Sequence, residues 1–282
     1  TGSFTVVEVV GGVVAGSLAL LADAAHMFTD TASLALAWLA FRLGRRPPDP
    51  RRSYGYHRLE VLAAYTNGVT LLFLALWIAI EAGRRLLAPQ PVLGGLMLGV
   101  AVAGLAVNLL AFWALHGGDR HNLNMRAAAL HVLGDLLGSV AAIAAAGVIL
   151  TTGWTPVDPL LSLLVAGLIA RAGVAVVRDS GHILIQGAPD ALDEEEVRAV
   201  LRESVPEVAD VHGFHAWSLT AERPVVTLHV SVGETAPGSA PLDKVKAVLR
   251  ERFGIRHATV QLEHRECPDE DCPRPGEEES GR

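Results

Sequence analysis

Long apolar runs fill the first two thirds of the chain, and charged residues are confined to short segments between them. Six such stretches can be drawn, at 3–20, 20–41, 61–80, 91–116, 127–150 and 159–177. The third has no charged residue from Val61 to Ile80, and the fourth lies in a segment, Leu86 to Gly118, without any Asp, Glu, Lys or Arg. About 20 helical residues cross the roughly 30 Å hydrocarbon core of a bilayer. Because only helices satisfy the backbone groups of an open chain there, the pattern predicts a six-helix membrane domain.

From about residue 179 the pattern becomes that of a small soluble domain. Asp193 followed by Glu196 is typical of a helix start. Apolar and polar residues alternate over 226–232 and 257–263, as in half-buried strands, and a further strand is predicted near 209–219. A helical stripe of apolar residues covers 242–253. The order helix-strand-strand-helix-strand predicts a compact α+β domain, and we place the domains at 1–178, 179–266 and an acidic Cys-containing tail at 267–282.

Composition agrees with this division. Hydrophobic residues make up 51% of the chain and charged residues 19%, and the mean hydropathy is +0.36, which excludes an ordinary soluble enzyme and a disordered chain. Residues 1–178 carry 12 Lys/Arg and 9 Asp/Glu, whereas residues 179–282 carry 11 and 21. Such an acidic second part argues against nucleic acid as a partner and favours cations near its surface.

The distribution of arginine predicts how the chain is oriented in the membrane. The segment 42–58 contains six arginines and the segment 116–126 contains two, whereas the turns at 17–22 and 151–158 contain no Lys or Arg. Because positive residues are enriched in cytoplasmic loops, both termini are expected in the cytoplasm. The chain starts with Thr1 inside an apolar run, so we expect further sequence ahead of it.

Two of the apolar stretches contain the same polar pair. His26 and Asp30 lie in the second stretch and His131 and Asp135 in the fifth, with identical spacing. A spacing of four residues puts both side chains of a pair on one helix face. If the two helices face each other, two imidazoles and two carboxylates form a tetrahedral set that suits a divalent ion such as Zn²⁺. The alternative is that each pair is a local hydrogen bond that supports helix packing.

Other polar residues in the apolar stretches receive structural interpretations. Asp23 is interpreted as a cap at the start of the second helix, with a role as proton carrier as the alternative. Glu8 is expected near the cytoplasmic end of the first helix, with a mechanistic role as the alternative. Asn67 and Asn108 are expected to form hydrogen bonds between helices.

At these residues the sequence resembles the cation diffusion facilitator family, in particular its zinc-transporter branch. The resemblance covers nearly the whole chain. It rests on the segments around the two pairs, Ser17–Asp30 and His131–Ser139, on Ser53-Tyr-Gly-Tyr-His57-Arg-Leu-Glu60, and on Val211-His-Gly-Phe-His-Ala-Trp-Ser-Leu219.

The resemblance implies six membrane helices, a cytoplasmic metallochaperone-like domain and a homodimer in a lipid bilayer, here the bacterial inner membrane. It also implies export of Zn²⁺ from the cytoplasm in exchange for protons by alternating access, with His26, Asp30, His131 and Asp135 as the transport site. In this family a histidine at the position of His26 goes with a preference for zinc over cadmium. The protein would be a transporter and not an enzyme, and zinc would be its substrate and also a structural or regulatory ion.

A second metal site is predicted in the soluble domain. His229 lies on the polar face of one strand, and His257 and Glu263 share the polar face of another, so the three would converge if the strands are neighbours. The family resemblance adds His212 to this set. Periodicity does not decide the strand register around 211–219, so the face on which His212 lies is left open. The alternative to a metal site is that all four residues lie on a solvated polar face of the sheet.

Three further residues are weaker metal-ligand candidates. Cys267 and Cys272 have a spacing found in zinc sites, but two thiolates do not complete a tetrahedron. His57 lies in the arginine-rich loop, where relatives have an additional, weaker site. For each of the three, an unliganded side chain is the alternative.

Three rival functions remain at this point. A broader exporter of divalent metals such as Cd²⁺, Co²⁺ or Fe²⁺ is compatible with the same ligands. A membrane zinc hydrolase needs an open metal position and a general base, whereas four ligands would close the tetrahedron. A zinc sensor would keep the soluble site and lose transport.

Overall fold

The computed structural model describes residues 2–116, 123–233 and 239–264, and the side chains of residue 2 and of residues 114–132 fall outside this description. The chain divides into two compact units. The first consists of Thr1–Arg42 and Ala63–Arg178, and the second of Leu43–Leu62 and Asp179–Arg282. The domain boundaries expected from the sequence stay a prediction.

The first unit is helical. Helices α1 to α6 run over Gly2–Ala15, Leu18–Gly44, Arg58–Leu87, Gly94–His116, Leu123–Thr152 and Val157–Leu184. In the described part of the chain, four segments are long and apolar enough to cross a membrane, namely α3, Gly94–Trp113 of α4, Leu133–Thr152 of α5, and α6. The shorter α1 is also apolar, while α2 carries three ionisable residues inside its apolar sequence. These helices confirm the predicted helical membrane domain.

Small residues bring the helices of this unit together. One buried cluster joins Ala19 and Leu20 of α2 to residues of α4 and α5, and another joins Ala22 of α2 to residues of α3 and α6. The two asparagines bridge helices as expected. Asn108 of α4 donates a hydrogen bond to Oγ of Ser139 on α5, and Asn67 of α3 bonds Ser33 of α2. Interhelical hydrogen bonds are therefore confirmed at both positions.

The turn between α1 and α2 is tightly held. Gly16 has φ +67, and a Cβ on it would lie 2.8 Å from the carbonyl oxygen of Pro91. Arg85 at the end of α3 donates a hydrogen bond of 2.6 Å to the Gly16 carbonyl, and Leu93 N–H donates one of 2.8 Å to Ala15. Only glycine satisfies both the left-handed backbone and the space beside Pro91.

The predicted cap at Asp23 is wrong. Helix α2 begins at Leu18, so Asp23 lies inside the helix and cannot bind the free N–H groups of its first turn. Those groups are instead bound by Ser17 and by Asp158, which comes from the first turn of α6.

The second unit contains the predicted α+β domain. Its elements are α7 (Glu194–Ser204), β1 (Val208–Ser218), β2 (Pro224–Val232), α8 (Ala240–Phe253) and β3 (His257–Glu263). The sheet order is β1-β2-β3, in which β1 and β2 are antiparallel and β2 and β3 are parallel. Asp193 caps α7, since its side chain accepts hydrogen bonds from the N–H groups of Glu195 and Glu196. The predicted order of elements is confirmed.

One sheet face covers the core of this unit and the other carries polar side chains. Val226, Leu228, Val230 and Val232 of β2 are buried against Val197 and Leu201 of α7 and Val245 and Leu249 of α8. The segment 43–62 folds with the same unit and has its own polar network. Within it, Asp49 accepts hydrogen bonds from Tyr56 and Arg52, which hold the pKa of that carboxyl below its usual value.

The geometry of the α1–α2 turn makes Gly16→Ala destabilising. The left-handed conformation costs a residue with a Cβ about 1–2 kcal/mol, and the contact with Pro91 adds to that cost. We expect a clear fall in the melting temperature of the purified, detergent-solubilised protein. The matched control is Gly147→Ala on α5, where a Cβ meets nothing within 4 Å. Equal melting temperatures for the two variants would contradict this account of the turn.

Candidate metal sites

The first predicted ligand pair occupies one face of α2. Nε2 of His26 lies 3.6 Å from Oδ2 of Asp30, and about a quarter of each side chain is exposed. Between them, Met27 is buried. Their spacing of one helical turn therefore brings an imidazole and a carboxylate to the same place, as expected.

The second pair lies on α5. Asp135 is buried, with 7% of its surface exposed. His131 lies one turn earlier on the same helix, and its side chain falls outside the described residues. The structure therefore describes three of the four predicted transport ligands, and it describes the backbone spacing of all four.

Helices α2 and α5 approach each other closely just before these pairs. Oδ1 of Asp23 lies 3.8 Å from the place where a Cβ on Gly138 would stand, so the two residues face each other across the two helices. Asp135 is near enough for its charge to act on the carboxyl groups of both Asp23 and Glu8. The predicted transport residues therefore have further carboxyl groups as neighbours.

Glu8 is a neighbour that the sequence reasoning undervalued. It is 1% exposed, its carboxyl is hydrogen-bonded to that of Asp23, and its Oε2 has no hydrogen-bond partner in the described part of the chain. An ionisable residue inside an apolar helix is costly and normally faces a functional site. That rule was the signal available from the sequence.

A cluster of side chains with the geometry to hold a metal ion lies on the polar face of the sheet. His212 of β1, His229 of β2 and Glu263 of β3 offer ligand atoms that all lie within 4.8 Å of one another. Oε2 of Glu263 is 3.1 Å from Nε2 of His212, and Oε1 is 3.0 Å from Nδ1 of His229. The side chain of Glu263 is 4% exposed.

The strand register explains why these residues meet. His212 is paired directly with His229, and Glu263 is paired with Ser231, two residues along β2. A β-bulge interrupts β1 between His212 and His215, and Gly213 within it has φ +57. A Cβ on Gly213 would lie 3.2 Å from the His229 ring. The bulge breaks the simple alternation of faces, which is why periodicity alone left the face of His212 open.

The donor set fits zinc. Zinc binds imidazole nitrogen and carboxylate oxygen at about 2.0–2.2 Å, so two donors of a tetrahedral site lie roughly 3.4 Å apart. The two distances at Glu263 are close to that value. In addition, Oε2 of Glu263 is buried opposite Nε2 of His212, so one ion would bind both atoms. Three ligands from this chain leave a fourth position for water or another donor.

Two neighbours orient these ligands, and the sequence reasoning missed both. Oδ2 of Asp210 lies 3.5 Å from Nδ1 of His212, which turns Nε2 toward Glu263. Nε2 of Gln261 donates a hydrogen bond of 3.1 Å to Oε1 of Glu263. Such partners fix the orientation of metal ligands. Both lie two residues from a ligand on the same strand, so the period of two in a strand was the available signal.

His257 is not part of this cluster. It lies at the opposite end of β3 from Glu263, paired with Val225, and its ring is edge-on to Tyr54 with the centroids 5.6 Å apart. At about 3.3 Å per residue, six residues of strand separate His257 from Glu263 by roughly 20 Å. A shared polar face was predicted correctly, but the convergence of His257 with His229 and Glu263 is wrong.

The weaker candidates have different outcomes. Nη1 of Arg223 lies 2.7 Å from Nε2 of His57. A guanidinium only donates, so Nε2 of His57 accepts this bond and is engaged by Arg223. Cys267 and Cys272 lie outside the described residues.

Comparison with known proteins covers both units. The model of the cation efflux transmembrane domain matches residues 1–185, and the model of the cytoplasmic domain of cation efflux proteins matches residues 189–265.

Bacterial relatives match along most of this chain. The chain is 50% identical to the zinc transporter ZitB of Escherichia coli over 273 residues, which is 96% of this chain and 87% of the relative. It is 40% identical to the metal cation efflux system protein CzcD of Cupriavidus metallidurans, over 96% of this chain and 86% of the relative. It is 38% identical to a cadmium, cobalt and zinc/H(+)-K(+) antiporter of Bacillus velezensis, over 92% and 84% respectively.

Zinc binding to the sheet cluster should depend on His229 but not on His257, which can be tested by thermal unfolding. In a purified fragment of residues 185–282, zinc at 100 times its dissociation constant should stabilise the fold by about 2.7 kcal/mol. We expect a raised melting temperature in the parent and in His257→Ala, but not in His229→Ala. A zinc-dependent rise that persists in His229→Ala, or disappears in His257→Ala, would contradict the cluster.

Proposed function

This chain belongs to the cation efflux family, and on that basis we propose that it exports zinc from the cytoplasm across the membrane in exchange for protons. We propose further that it works as a homodimer by alternating access, and that His26, Asp30, His131 and Asp135 form its transport site. Zinc is the substrate of that site.

The observation that carries the proposal is the geometry of the α2 pair together with its repeat on α5. His26 and Asp30 meet at 3.6 Å within an apolar helix, and Asp135 is buried on α5 one turn after His131. Local hydrogen bonding explains one such pair, but it does not explain the same pair on a second helix that packs beside the first. A shared ion neutralises both carboxylates at once.

The packing of α2 and α5 supports a common site. Asp23 of α2 faces Gly138 of α5, and the two helices contribute Ala19 and Ala142 to the same buried cluster. The residue numbers rise along α2 as they fall along α5, which is the pattern of antiparallel neighbours. The next turn of α2 brings His26, and the next turn of α5 in the opposite direction brings Asp135. The packing of Ala19 against Ala142, with Asp23 facing Gly138, therefore supports a common site for the two pairs.

The donor set also accounts for proton exchange. An imidazole nitrogen ligates a metal only when it carries no proton, so protons and zinc compete for His26 and His131. Protons arriving from outside the cell would release zinc to that side. Asp30 and Asp135 supply negative charge that favours a divalent cation over a neutral occupant.

The sheet cluster of His212, His229 and Glu263 is proposed as a resident zinc site in the cytoplasm. Zinc there would have a structural or regulatory role, because the site is built from all three strands of the sheet. Asp210 and Gln261 would hold the ligands in place. Neither residue would take part in transport.

The membrane position follows from the helices and the arginines. In the described part of the chain, helices α3 to α6 contain segments long enough to span a membrane, and the segment 42–58, from the end of α2 to the start of α3, holds six arginines. We therefore propose the bacterial inner membrane, with both termini in the cytoplasm.

A broader exporter of divalent metals is the second candidate. It is favoured by the names of two relatives, the metal cation efflux protein CzcD and the cadmium, cobalt and zinc antiporter, at 40% and 38% identity. The zinc transporter ZitB is 50% identical, which ranks zinc first. The ligand at position 26 provides the experimental distinction, because imidazole and carboxylate differ in their preference among these metals.

Removing Asp135 should abolish transport. The measurement is ⁶⁵Zn uptake into proteoliposomes with an imposed proton gradient. Loss of a residue that only supports a metal ligand typically costs roughly 10–100-fold in affinity or activity. Because Asp135 is proposed as a ligand itself, we expect Asp135→Ala to reduce uptake by more than that. Leu137→Ala, two residues away and exposed on the same helix, is the matched control and should retain uptake. Undiminished uptake in Asp135→Ala at several zinc concentrations would rule out the proposed site.

Replacing His26 should change selectivity and pH dependence together. His26→Asp replaces a nitrogen ligand of borderline softness by a hard, anionic oxygen ligand. It also places three carboxylates in the site. When no metal is bound, these carboxylates repel one another and bind protons more tightly. We expect the variant to gain cadmium uptake and to shift the pH profile of zinc uptake, as measured with both metals between pH 5.5 and 8, roughly the range of histidine titration. A variant that still excludes cadmium and keeps the parental profile would mean that His26 is not a transport ligand.

A further inference from the structure

Asp158 is a buried carboxylate that the proposed transport mechanism does not use. It lies in the first turn of α6 and is 0% exposed. Oδ1 accepts a hydrogen bond of 2.5 Å from Oγ of Ser17 and one of 3.2 Å from the N–H of Ala19, and Oδ2 accepts one of 2.8 Å from the N–H of Leu18. A residue of α6 therefore binds directly to the start of α2.

These bonds account for the free N–H groups in the first turn of α2. Asp158 takes those of Leu18 and Ala19, Oγ of Ser17 takes that of Leu20 at 3.2 Å, and the Ser17 carbonyl takes that of Leu21 at 3.4 Å. A helix normally has such groups satisfied by its own N-cap residue or by water. Here a carboxylate from another helix does so. Its negative charge also suits the N-terminal end of the helix dipole.

The contact leads directly to the proposed transport ligands. One turn beyond the cap, Ala22 of α2 packs in a buried cluster with Ala166 and Ile169 of α6. His26 follows one turn later, about 12 Å along the helix from Leu18. Two successive contacts thus tie α2 to α6 before the ligand face begins, and a helix is stiff over that length.

We infer that Asp158 is a positioning residue, which fixes the axial position and rotation of α2 and thereby the placement of His26 and Asp30. The inference rests on the proposed transport site. Metal ligands must be held to within about 0.5 Å for productive geometry, so a small slide or rotation of α2 weakens the site. Arg85 and Leu93 also hold the turn before α2, but they bind the carbonyls of Gly16 and Ala15, which lie outside the helix.

The variant Asp158→Asn tests this directly. Asparagine keeps the size of the side chain but replaces one acceptor oxygen by an NH₂ group, which faces an N–H of α2 or the hydroxyl of Ser17. The probe is Co²⁺ added to the purified full chain in a His229→Ala background, which removes a ligand of the sheet cluster. Tetrahedral Co²⁺ has a visible absorption band whose intensity and shape report ligand geometry, which loss of stability alone does not change.

We expect Asp158→Asn to weaken Co²⁺ binding by about 10-fold or more, in the range typical of residues that orient ligands, and to alter the absorption band. Ser17→Ala is a milder variant that removes one of the three bonds to Asp158 and the bond to Leu20, and it should weaken binding roughly threefold to fivefold. The matched control is Ser162→Ala. Ser162 is buried one turn further along α6 and bonds only the backbone of Asp158, so its loss should leave the band and the affinity unchanged.

Three outcomes would count against the inference. If the parental band survives Asp135→Ala, the transport site is wrong and the inference fails with it. In the second outcome, Asp135→Ala removes the band, so the transport site stands. If Asp158→Asn then lowers the melting temperature but keeps the parental band and Co²⁺ affinity, only the inference about Asp158 is overturned. Should Asp158→Asn fail to fold, an unchanged band and affinity in Ser17→Ala would overturn it in the same way.

Discussion

The cost of placing ionisable groups in an apolar helical unit governs the arrangement of this protein. A carboxylate in a bilayer has no water to solvate it, so the protein must supply hydrogen bonds or an opposite charge. Asp158 obtains three hydrogen bonds from the start of α2. Asp30 has His26 at 3.6 Å. Glu8 is hydrogen-bonded to Asp23, one turn before His26, but its Oε2 has no hydrogen-bond partner in the described part of the chain. A carboxyl group that the protein satisfies incompletely thus lies beside the residues proposed to bind the cation.

The sequence allowed most of the helical unit to be predicted, because long apolar runs and a one-turn spacing are local properties. His26 and Asp30 were placed correctly on one face by spacing alone. Asp23 was misplaced because capping depends on where a helix starts, and that start is determined by Asp158, a residue far away in the chain. A local pattern cannot reveal a cap that comes from another helix. The helix packing involves small residues such as Ala19 and Ala142, which are too common in membrane helices to identify a contact.

The sheet shows the same division between local and non-local information. Alternation predicted that His229, His257 and Glu263 are on the polar face, and they are. It could not give the distance between two residues of one face, so His257 was grouped with a cluster at the other end of its strand. That distance depends on the register of β3 against β2, which the crossover through α8 determines. Asp210 was predictable in principle, since it precedes His212 by two residues, whereas the bulge at Gly213 is recognised only from the pairing.

The sheet cluster takes one ligand from each strand, and this has a consequence for folding kinetics. Strands β1 and β2 form a local hairpin, but β3 joins only after the chain has passed through α8, so its parallel pairing closes the longest loop of the domain. Native contacts of this non-local kind are slow to form. An ion held by His212, His229 and Glu263 would link β3 to the hairpin of β1 and β2. If β3 joins the hairpin after the folding transition state, the ion would stabilise the folded domain but not that transition state. Metal loading would therefore lengthen the lifetime of the folded domain by slowing unfolding, while leaving its folding rate nearly unchanged.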